Sequence, residues 1–229
     1  MTTPRLGLAA AAFMLGGVLL SPSLAGPPLI CFPYHTGGAP SLPWGDDAFQ
    51  EKKAYDKARL VEDTLRLLNA ETSALARMET LRRAALYAQG DKRLSTELLA
   101  NLAFIALDTE AAGHPSSRAW FDAGFLAASY AQLGTGIGSE PGRAEGSNGY
   151  AWIRKALQLE PQNAEMHFAA ALATHGRQAV YKEHLRRALE GAAPGSNLAR
   201  SMETNAAIGP DLAELRARPG TADASGRGH

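Results

Sequence analysis

Two short stretches decide the fold: SRAWFDAGFLA at residues 117–127 and GYAWIRKALQLEP at residues 149–161. In the first, one helical stripe carries a bulky ring followed by small side chains: Trp120, Ala123, Gly124 and Ala127. In the second, small and branched residues recur at steps of four and three: Gly149, Ile153 and Ala156. A flat patch of small residues allows a second helix to approach closely, and Pro161 marks a helix end. The two stretches therefore predict a tightly packed helical hairpin.

The spacing of this hairpin resembles a tetratricopeptide repeat, in which Trp-x2-Leu-Gly-x2-Tyr precedes Ala-x3-Phe and Pro. Trp120, Gly124 and Pro161 match the pattern directly, and smaller or different residues replace the others: Ala123, Ala127, Gly149 and Ile153. A weaker copy follows at residues 164–172 with Tyr181, Leu185 and Ala188, and residues 134–148 lengthen the connection in the first copy. The resemblance covers about residues 117–194. It implies an all-α array of helical hairpins, an α-solenoid.

The resemblance also implies where a partner binds, because such arrays use the concave face of their inner helices. Carried over by position, that face comprises Arg118, Phe121, Phe125, Ser129, Glu165, Phe168, Leu172 and His175. Apolar residues of a helix stripe most often belong to the core. For Phe125 and Leu172, a place in the core is therefore as compatible with the sequence as a place on the binding face. Asp122 could orient Arg118, four residues earlier, in a structural and not a catalytic role. We expect the chain to bind a protein or peptide there; the alternative is a structural assembly part without a discrete ligand.

The composition of the chain limits the classes of partner that we expect. Its 229 residues are 45% hydrophobic and carry a formal net charge of +0. This apolar content suffices for one sizeable core. Without an excess of positive charge, neither nucleic acid nor an anionic lipid surface is an expected partner.

The amino terminus has the features of a targeting segment. Arg5 precedes an uncharged apolar run at residues 6–20, and a small-x-small pattern ends at Ala25. The run is shorter than a bilayer span, so we expect a signal peptide at residues 1–25, cleaved after Ala25, with an uncleaved anchor as the alternative. The sequence therefore predicts an exported protein, periplasmic or extracellular, with no stable membrane insertion after cleavage.

Prolines and glycines dominate residues 26–45, which we expect to form an extended strap docked on the helices through its apolar side chains. The helical-repeat domain is assigned to residues 46–217. Its first helices are predicted from Asp47 to about Ala70 and then at residues 72–88 and 92–112. Residues 218–229 carry no large apolar side chain and are expected to be a disordered tail.

Candidate chemistry is sparse. The glycine-rich stretch at residues 134–142 lacks the strand and the Gly-Lys-Ser/Thr of a phosphate loop, which favours a flexible insertion. Cys31 and His35 could begin a metal or thiol site, joined by His167, His175 and His184 only if their helices converge. A lone cysteine without a closed set of ligands favours a packing role. We therefore expect neither an enzyme nor a bound cofactor or metal, and keep a metal-binding or thiol-based periplasmic protein as the alternative.

Overall fold

The computed structural model of the chain describes residues 26–46, 50–136 and 148–217. Within these ranges the fold is all-α, with nine α-helices, one short 3-10 turn at Lys57–Arg59 and no strand. This confirms that the fold is all-α, as predicted. The predicted signal peptide at residues 1–25 and the predicted tail at residues 218–229 lie outside the described residues. No helix in the described ranges is both long enough and apolar enough to cross a bilayer.

The helices follow one another through short connections, apart from the longer one between α4 and α5. Their bounds are α1 (Leu60–Leu67), α2 (Ala74–Tyr87), α3 (Lys92–Ala111), α4 (Ser117–Gln132), α5 (Asn148–Leu159), α6 (Ala164–Ala173), α7 (Gln178–Glu190), α8 (Asn197–Thr204) and α9 (Gly209–Ala217). The helices predicted at residues 72–88 and 92–112 agree with α2 and α3 to within two residues.

Local sequence signals set most of the helix boundaries. Five helices begin where a side chain accepts a hydrogen bond from an amide of the first turn: Ser73, Asp91, Ser116, Asn163 and Ser196. Such caps satisfy donors that the helix itself leaves unpaired. After α2 and α3 the chain turns through Gly90 and Gly113, whose positive φ angles of 84° and 79° suit glycine.

The predicted helix from Asp47 to Ala70 is wrong for most of its length. Residues 50–56 form no helix, and α1 begins only at Leu60. The amide of Lys52 donates to the hydroxyl of Tyr87 (3.2 Å), and the ring of Tyr55 packs on Tyr87 with centroids 4.6 Å apart. The segment thus crosses the end of α2 instead of forming a helix, and its partly buried aromatic ring packs on that distant helix.

The α4 and α5 helices pack antiparallel at the close approach that their small residues predict. A Cβ added to Gly124 would lie 2.7 Å from the nitrogen of Ile153 and 2.8 Å from the carbonyl oxygen of Gly149. A Cβ added to Gly149 would lie 2.5 Å from the nitrogen of Ala128. None of these three distances is tolerated by a real Cβ atom, so the two backbones can meet only because both positions lack a side chain.

Helix α4 is the centre of the molecule. Every residue from Ala119 to Tyr130 is buried, and the helix packs against α2, α3, α5 and α6. Helices α6 and α7 form a second hairpin beside it. An all-round apolar sequence is typical of a helix enclosed on all sides, which explains why α4 has no solvated face along this stretch.

Candidate functional site

The structure places five of the eight predicted partner-binding residues in the core. Phe121, Phe125, Ser129, Phe168 and Leu172 all have 0% of their surface exposed. Their assignment to an exposed concave face is therefore wrong. The reason is that this face is not open, because α2 packs on both α4 and α6 and because Tyr34 of residues 26–46 lies against Phe125 and Phe168.

Tyr34 shows how the segment of residues 26–46 covers the inner helices. Its ring lies edge-on to Phe125 of α4 and to Phe168 of α6, with centroid distances of 6.0 and 6.1 Å. Such edge-to-face arrangements are favourable beyond the area they bury. Phe125 and Phe168, which were predicted to contact a partner, thus form a pocket for a tyrosine ring of the same chain.

Side chains of the helices also bind the backbone of residues 26–46. Glu79 accepts a hydrogen bond from the amide of Tyr34 (3.0 Å), and Arg82 donates to the carbonyl of Ile30 (3.2 Å). Further bonds join Gln132 to Leu29 (2.9 Å), Ser201 to His35 (2.9 Å), Asn205 to Pro28 (3.1 Å), Arg83 to Leu42 (2.5 Å) and Tyr87 to Pro43 (2.5 Å). Backbone groups that have no helix or sheet partners of their own are satisfied in this way.

A buried ion cluster on α2 supports these contacts. Glu79 accepts from Arg82 (2.9 Å) and from Arg83 (2.7 Å), and the side chains of Glu79 and Arg82 are each 1% exposed. Burial acts to raise the pKa of Glu79, but the hydrogen bond and charge of Arg82, with the charge of Arg83, outweigh it and lower the pKa. The carboxylate is therefore held ionised beneath residues 26–46.

Whether residues 26–46 could leave the inner face and expose it to a partner depends on the free energy that their burial contributes. The segment buries four large apolar side chains: Leu29, Ile30, Tyr34 and Leu42. Each contributes roughly 1.5–3 kcal/mol, so their exposure would cost roughly 6–12 kcal/mol. That is comparable with the whole stability of a typical domain, about 5–15 kcal/mol. The inner face is thus part of the core.

Two of the other three predicted residues make structural contacts. The carboxylate of Glu165 accepts from the amide of Leu75 (2.9 Å) at the start of α2. The Nε2 atom of His175 lies 3.0 Å from the carbonyl oxygen of Ala207, and its ring stands edge-on to Tyr181 at 5.0 Å. Both side chains join separate parts of the fold. Only Arg118 is exposed.

Arg118 lies at a cavity between α1, α3 and α4 with a volume of about 280 Å³. Apolar side chains form most of its walls: Leu65, Leu68, Leu102, Ile105 and Ala119. Arg118 itself makes no hydrogen bond or ion pair with any described residue. The cavity therefore combines largely apolar walls with an exposed guanidinium, whose charge also lowers the pKa of Asp122 and of Glu160.

A buried ion pair contributes to the lining of the same cavity. Arg77 donates to Oδ2 of Asp122 at 2.5 Å, and both side chains are at most 6% exposed. The other carboxylate oxygen, Oδ1, is buried without a hydrogen-bond partner among the described residues. Burial raises the pKa of Asp122 to about 7, although the charge and hydrogen bond of Arg77 lower it. Asp122 is thus a lining residue of the cavity that has one buried carboxylate oxygen without a hydrogen-bond partner among the described residues.

The expected pairing of Asp122 with Arg118 is wrong, since Arg77 takes that place. Arg77 also donates to the carbonyl oxygens of Thr72 (3.1 Å) and Leu68 (3.3 Å). These contacts join α2, α4 and the turn after α1. No local sequence pattern predicts these contacts, because Arg77 and Asp122 lie on different helices and are 45 residues apart. Sequence reasoning therefore missed Arg77 and the cavity.

The candidate metal ligands do not assemble. In the described part of the chain no three His, Cys, Asp or Glu side chains are grouped to hold a metal. Burial raises the pKa of the half-buried Cys31, which lowers the reactivity of its thiol at neutral pH. The backbone amide of His35 donates to Ser201. No contact in the described residues favours a thiol or metal function for this pair.

His167 and His184 do converge, and they form a hydrogen-bond chain. The Pro161 carbonyl accepts from Nε2 of His167 (3.0 Å), and Nδ1 of His167 lies 2.9 Å from Nδ1 of His184. The hydroxyl of Tyr150 lies 3.0 Å from Nε2 of His184. Burial, with the nearby His167, lowers the pKa of His184 to about 4. The chain joins α5, α6 and α7.

Comparisons of the sequence with protein-family models, curated proteins and solved structures found no match. Function is therefore inferred from the chemistry of an open site that contains a predicted binding residue, the cavity around Arg118.

Proposed function

We propose that the chain is a non-enzymatic scaffold of tetratricopeptide-like helical hairpins that binds a protein partner outside the cytoplasm. The signal-like residues 1–25 support the location, and the spacing of residues 117–161 supports the repeat arrangement. The partner does not use the inner face, which residues 26–46 occupy. It binds at the cavity between α1, α3 and α4, where Arg118 is the anchor.

The observation that carries this proposal is the combination of groups at one cavity. An apolar chamber of about 280 Å³ adjoins an unpaired guanidinium and the residue with an unpaired buried carboxylate oxygen. Apolar pockets with a few convergent polar groups are typical ligand sites. Anchors of protein interfaces are most often aromatic side chains seated in such pockets.

The unpaired Oδ1 of Asp122 selects an aromatic ring with a hydroxyl group, the side chain of tyrosine. When Asp122 is ionised, a phenol donates to this oxygen; when it is protonated, the phenol accepts from it. Because the pKa of Asp122 is about 7, both forms are populated at neutral pH. A phenol pairs with each form, whereas the indole of tryptophan only donates.

Arg118 selects a carboxylate next to that ring. A guanidinium presents a planar fork of donors that matches a carboxylate geometrically. The partner segment therefore carries a tyrosine with an adjacent aspartate or glutamate. Neither the tyrosine ring nor the adjacent carboxylate suffices alone, since an exposed ion pair contributes only about 0–1 kcal/mol.

Small probes test the cavity without altering the buried ion pair. Calorimetric titration compares 4-hydroxyphenylacetate with phenylacetate, which lacks the hydroxyl, and with 4-methylphenol, which lacks the carboxylate. We expect the hydroxyl to improve binding roughly tenfold or more, because a hydrogen bond to a charged group contributes about 1.5–3 kcal/mol. Arg118→Gln should weaken the binding of 4-hydroxyphenylacetate and leave that of 4-methylphenol unchanged. Arg200→Gln on α8 is the control, since Arg200 is also exposed.

The protein partner is tested with the same variants. Protein retained from an exported fraction by the wild type and by Arg200→Glu should be lost with Arg118→Glu and released by 4-hydroxyphenylacetate. Equal retention by both charge variants would place the partner elsewhere and overturn the assignment of the cavity.

A further inference from the structure

A second cavity lies between the segment of residues 26–46, residues 54–56 and α1. Its volume is about 410 Å³, which is within the range of small-molecule sites, about 300–1,000 Å³. Leu42, Pro43 and Leu67 are among its apolar lining residues. It shares no lining residue with the cavity around Arg118, and the proposed function does not use it.

A single buried carboxylate holds two arginine side chains at this second cavity. Arg59, Asp63 and Arg66 lie at steps of four and three, which places them on one face of the helix. Oδ1 of Asp63 accepts from Nη2 of Arg59 (3.2 Å) and from Nη2 of Arg66 (2.7 Å), and Oδ2 accepts from the hydroxyl of Tyr55 (3.1 Å). Because both guanidiniums meet the same oxygen atom, they are close enough for one ligand to contact both.

This triad has one positive charge in excess, and most of its arginine donors are unused. The charge of Asp63 balances one guanidinium, whereas the side chains of Arg59 and Arg66 are 56% and 68% exposed. Among the described residues, neither arginine makes a hydrogen bond to any group but Asp63. A guanidinium has five donors and no acceptor. The pair therefore suits a ligand that has several acceptor atoms and a negative charge.

Ser41 adds a hydroxyl donor to the lining of the same cavity. Its oxygen accepts from the hydroxyl of Thr80 (3.2 Å), a fully buried residue of α2. In the described part of the chain the Ser41 hydroxyl has no other hydrogen bond, so its own proton is left to donate. Three side chains thus offer donors to one ligand.

Asp56 limits the charge that the site accepts. It is an exposed lining residue, and its Oδ1 accepts from the amide of Ala58 (3.0 Å) at the turn before α1. With Asp56 and Asp63 set against the two arginines, the lining has no net charge. A doubly charged ligand would leave two negative charges uncompensated, whereas a singly charged one leaves a single charge that solvent can screen.

We propose that this cavity binds a small sulfonate or sulfate ester, a ligand with an apolar body and a singly charged –SO3⁻ group. The three terminal oxygens accept from Arg59, Arg66 and Ser41, and the body lies against Pro43 and Leu67. Hydrogen bonds from guanidiniums to oxyanions are about twice as strong as neutral ones. The –SO3⁻ group has one oxygen for each of the three donor side chains and one negative charge for the one positive charge in excess.

Calorimetric titration of the full chain with benzenesulfonate tests the site. Benzenesulfonamide is the control ligand, because it has nearly the same shape and no charge, and it should bind roughly tenfold more weakly. Arg66→Gln should weaken the binding of benzenesulfonate roughly three- to tenfold. Arg93→Gln, at an exposed arginine with a similar ion pair on α3, should not weaken it. No binding of benzenesulfonate, equal binding of the sulfonamide, or an equal loss in both variants would overturn the proposal.

Replacement of Asp56 by asparagine tests the role of charge without altering a donor. Asparagine keeps an oxygen that accepts from Ala58 and caps a turn as well as aspartate does. Benzenesulfonate should bind up to about fivefold more tightly to this variant, since one like charge is removed. Phenyl phosphate, which is doubly charged above about pH 7, should gain more. Unchanged affinities for both ligands would contradict the charge argument.

Ser41→Ala distinguishes the –SO3⁻ group from a carboxylate. Benzoate has the same charge but one oxygen fewer, so we expect it to use the two arginines and to leave Ser41 without a partner. The variant should therefore bind benzenesulfonate several-fold more weakly and benzoate unchanged. Equal losses, or no loss for either ligand, would contradict the assignment. None of these changes touches the cavity around Arg118, so either proposal can fail alone.

Discussion

Replacing Gly124 by alanine tests the close packing of α4 on α5. The new Cβ would lie 2.7 Å from the nitrogen of Ile153, 2.8 Å from the carbonyl oxygen of Gly149 and 2.9 Å from Cγ1 of Ile153. Two of these atoms belong to the backbone, so relief requires α5 to move as a whole. Overpacking typically costs about 1–3 kcal/mol, and we expect the upper end here.

Alanine also favours a helix over glycine, by about 1 kcal/mol. The net loss of unfolding free energy is therefore about 2 kcal/mol, and the melting temperature should fall by about 4–8 °C for a chain of this size. Urea and thermal unfolding measure both quantities. Gly176→Ala is the matched control, because no atom lies within 4 Å of its added Cβ and its φ angle is not positive. Its stability should change little.

The second glycine of the contact makes the test sharper. Gly149→Ala should also destabilise, since its Cβ would meet the nitrogen of Ala128 at 2.5 Å. Once either alanine has separated the helices, the other costs less, so the double variant should lose less stability than the sum of the single losses. A Gly124→Ala protein as stable as the wild type, or strictly additive losses, would refute the reasoning.

Three further changes probe the rest of the fold by urea unfolding. Tyr34→Ala should cost about 3–5 kcal/mol by emptying the space between Phe125 and Phe168, whereas Tyr34→Phe, which removes one hydrogen bond, should cost about 1 kcal/mol. Glu79→Gln should cost about 3–5 kcal/mol by removing the carboxylate charge that pairs with the buried guanidinium of Arg82, and a loss below 1 kcal/mol would contradict the cluster. His184, with its pKa lowered to about 4, should stabilise the fold fully above pH 6.5 and progressively less as the pH falls towards 4. The loss should be about 1–2 kcal/mol after allowance for partial exposure, and wild type and His184→Gln should differ in this window.

Charged neighbours of His184 bear on the pH experiment. Glu183 raises its pKa, whereas His167 and Arg187 lower it. Asp122 acts in the opposite direction over an overlapping window, because its raised pKa makes the fold more stable as the pH falls from 7 towards 4. Only the difference between wild type and His184→Gln therefore isolates the histidine. A difference that does not vary with pH would contradict the lowered pKa of His184.

The hairpin of α4 and α5 could be predicted because its determinants lie within the helices that form it. Gly124 and Gly149 set the distance of approach, and helical spacing alone places them on facing sides. Caps and glycines likewise encode the bounds of α2 and α3, since each signal acts within one turn of the chain.

The burial of the inner face could not be predicted from the same signals. Phe125 and Phe168 have the spacing of residues that face a partner, and only the docking of Tyr34 from a remote segment turns them into core. The pairing of Arg77 with Asp122 is equally non-local. A repeat pattern describes how helices pack on one another, but it contains no information on what a segment outside the pattern will cover.

Amide hydrogen exchange along residues 26–46 tests most directly whether the inner face is closed. The amides of Leu29, Tyr34 and His35 donate to Gln132, Glu79 and Ser201, respectively. If the segment is part of the core, these amides should exchange only through global unfolding, as slowly as those of α4. Exchange at the rate of an unstructured peptide would show that the face opens, and it would return the predicted concave surface as the place where a partner binds.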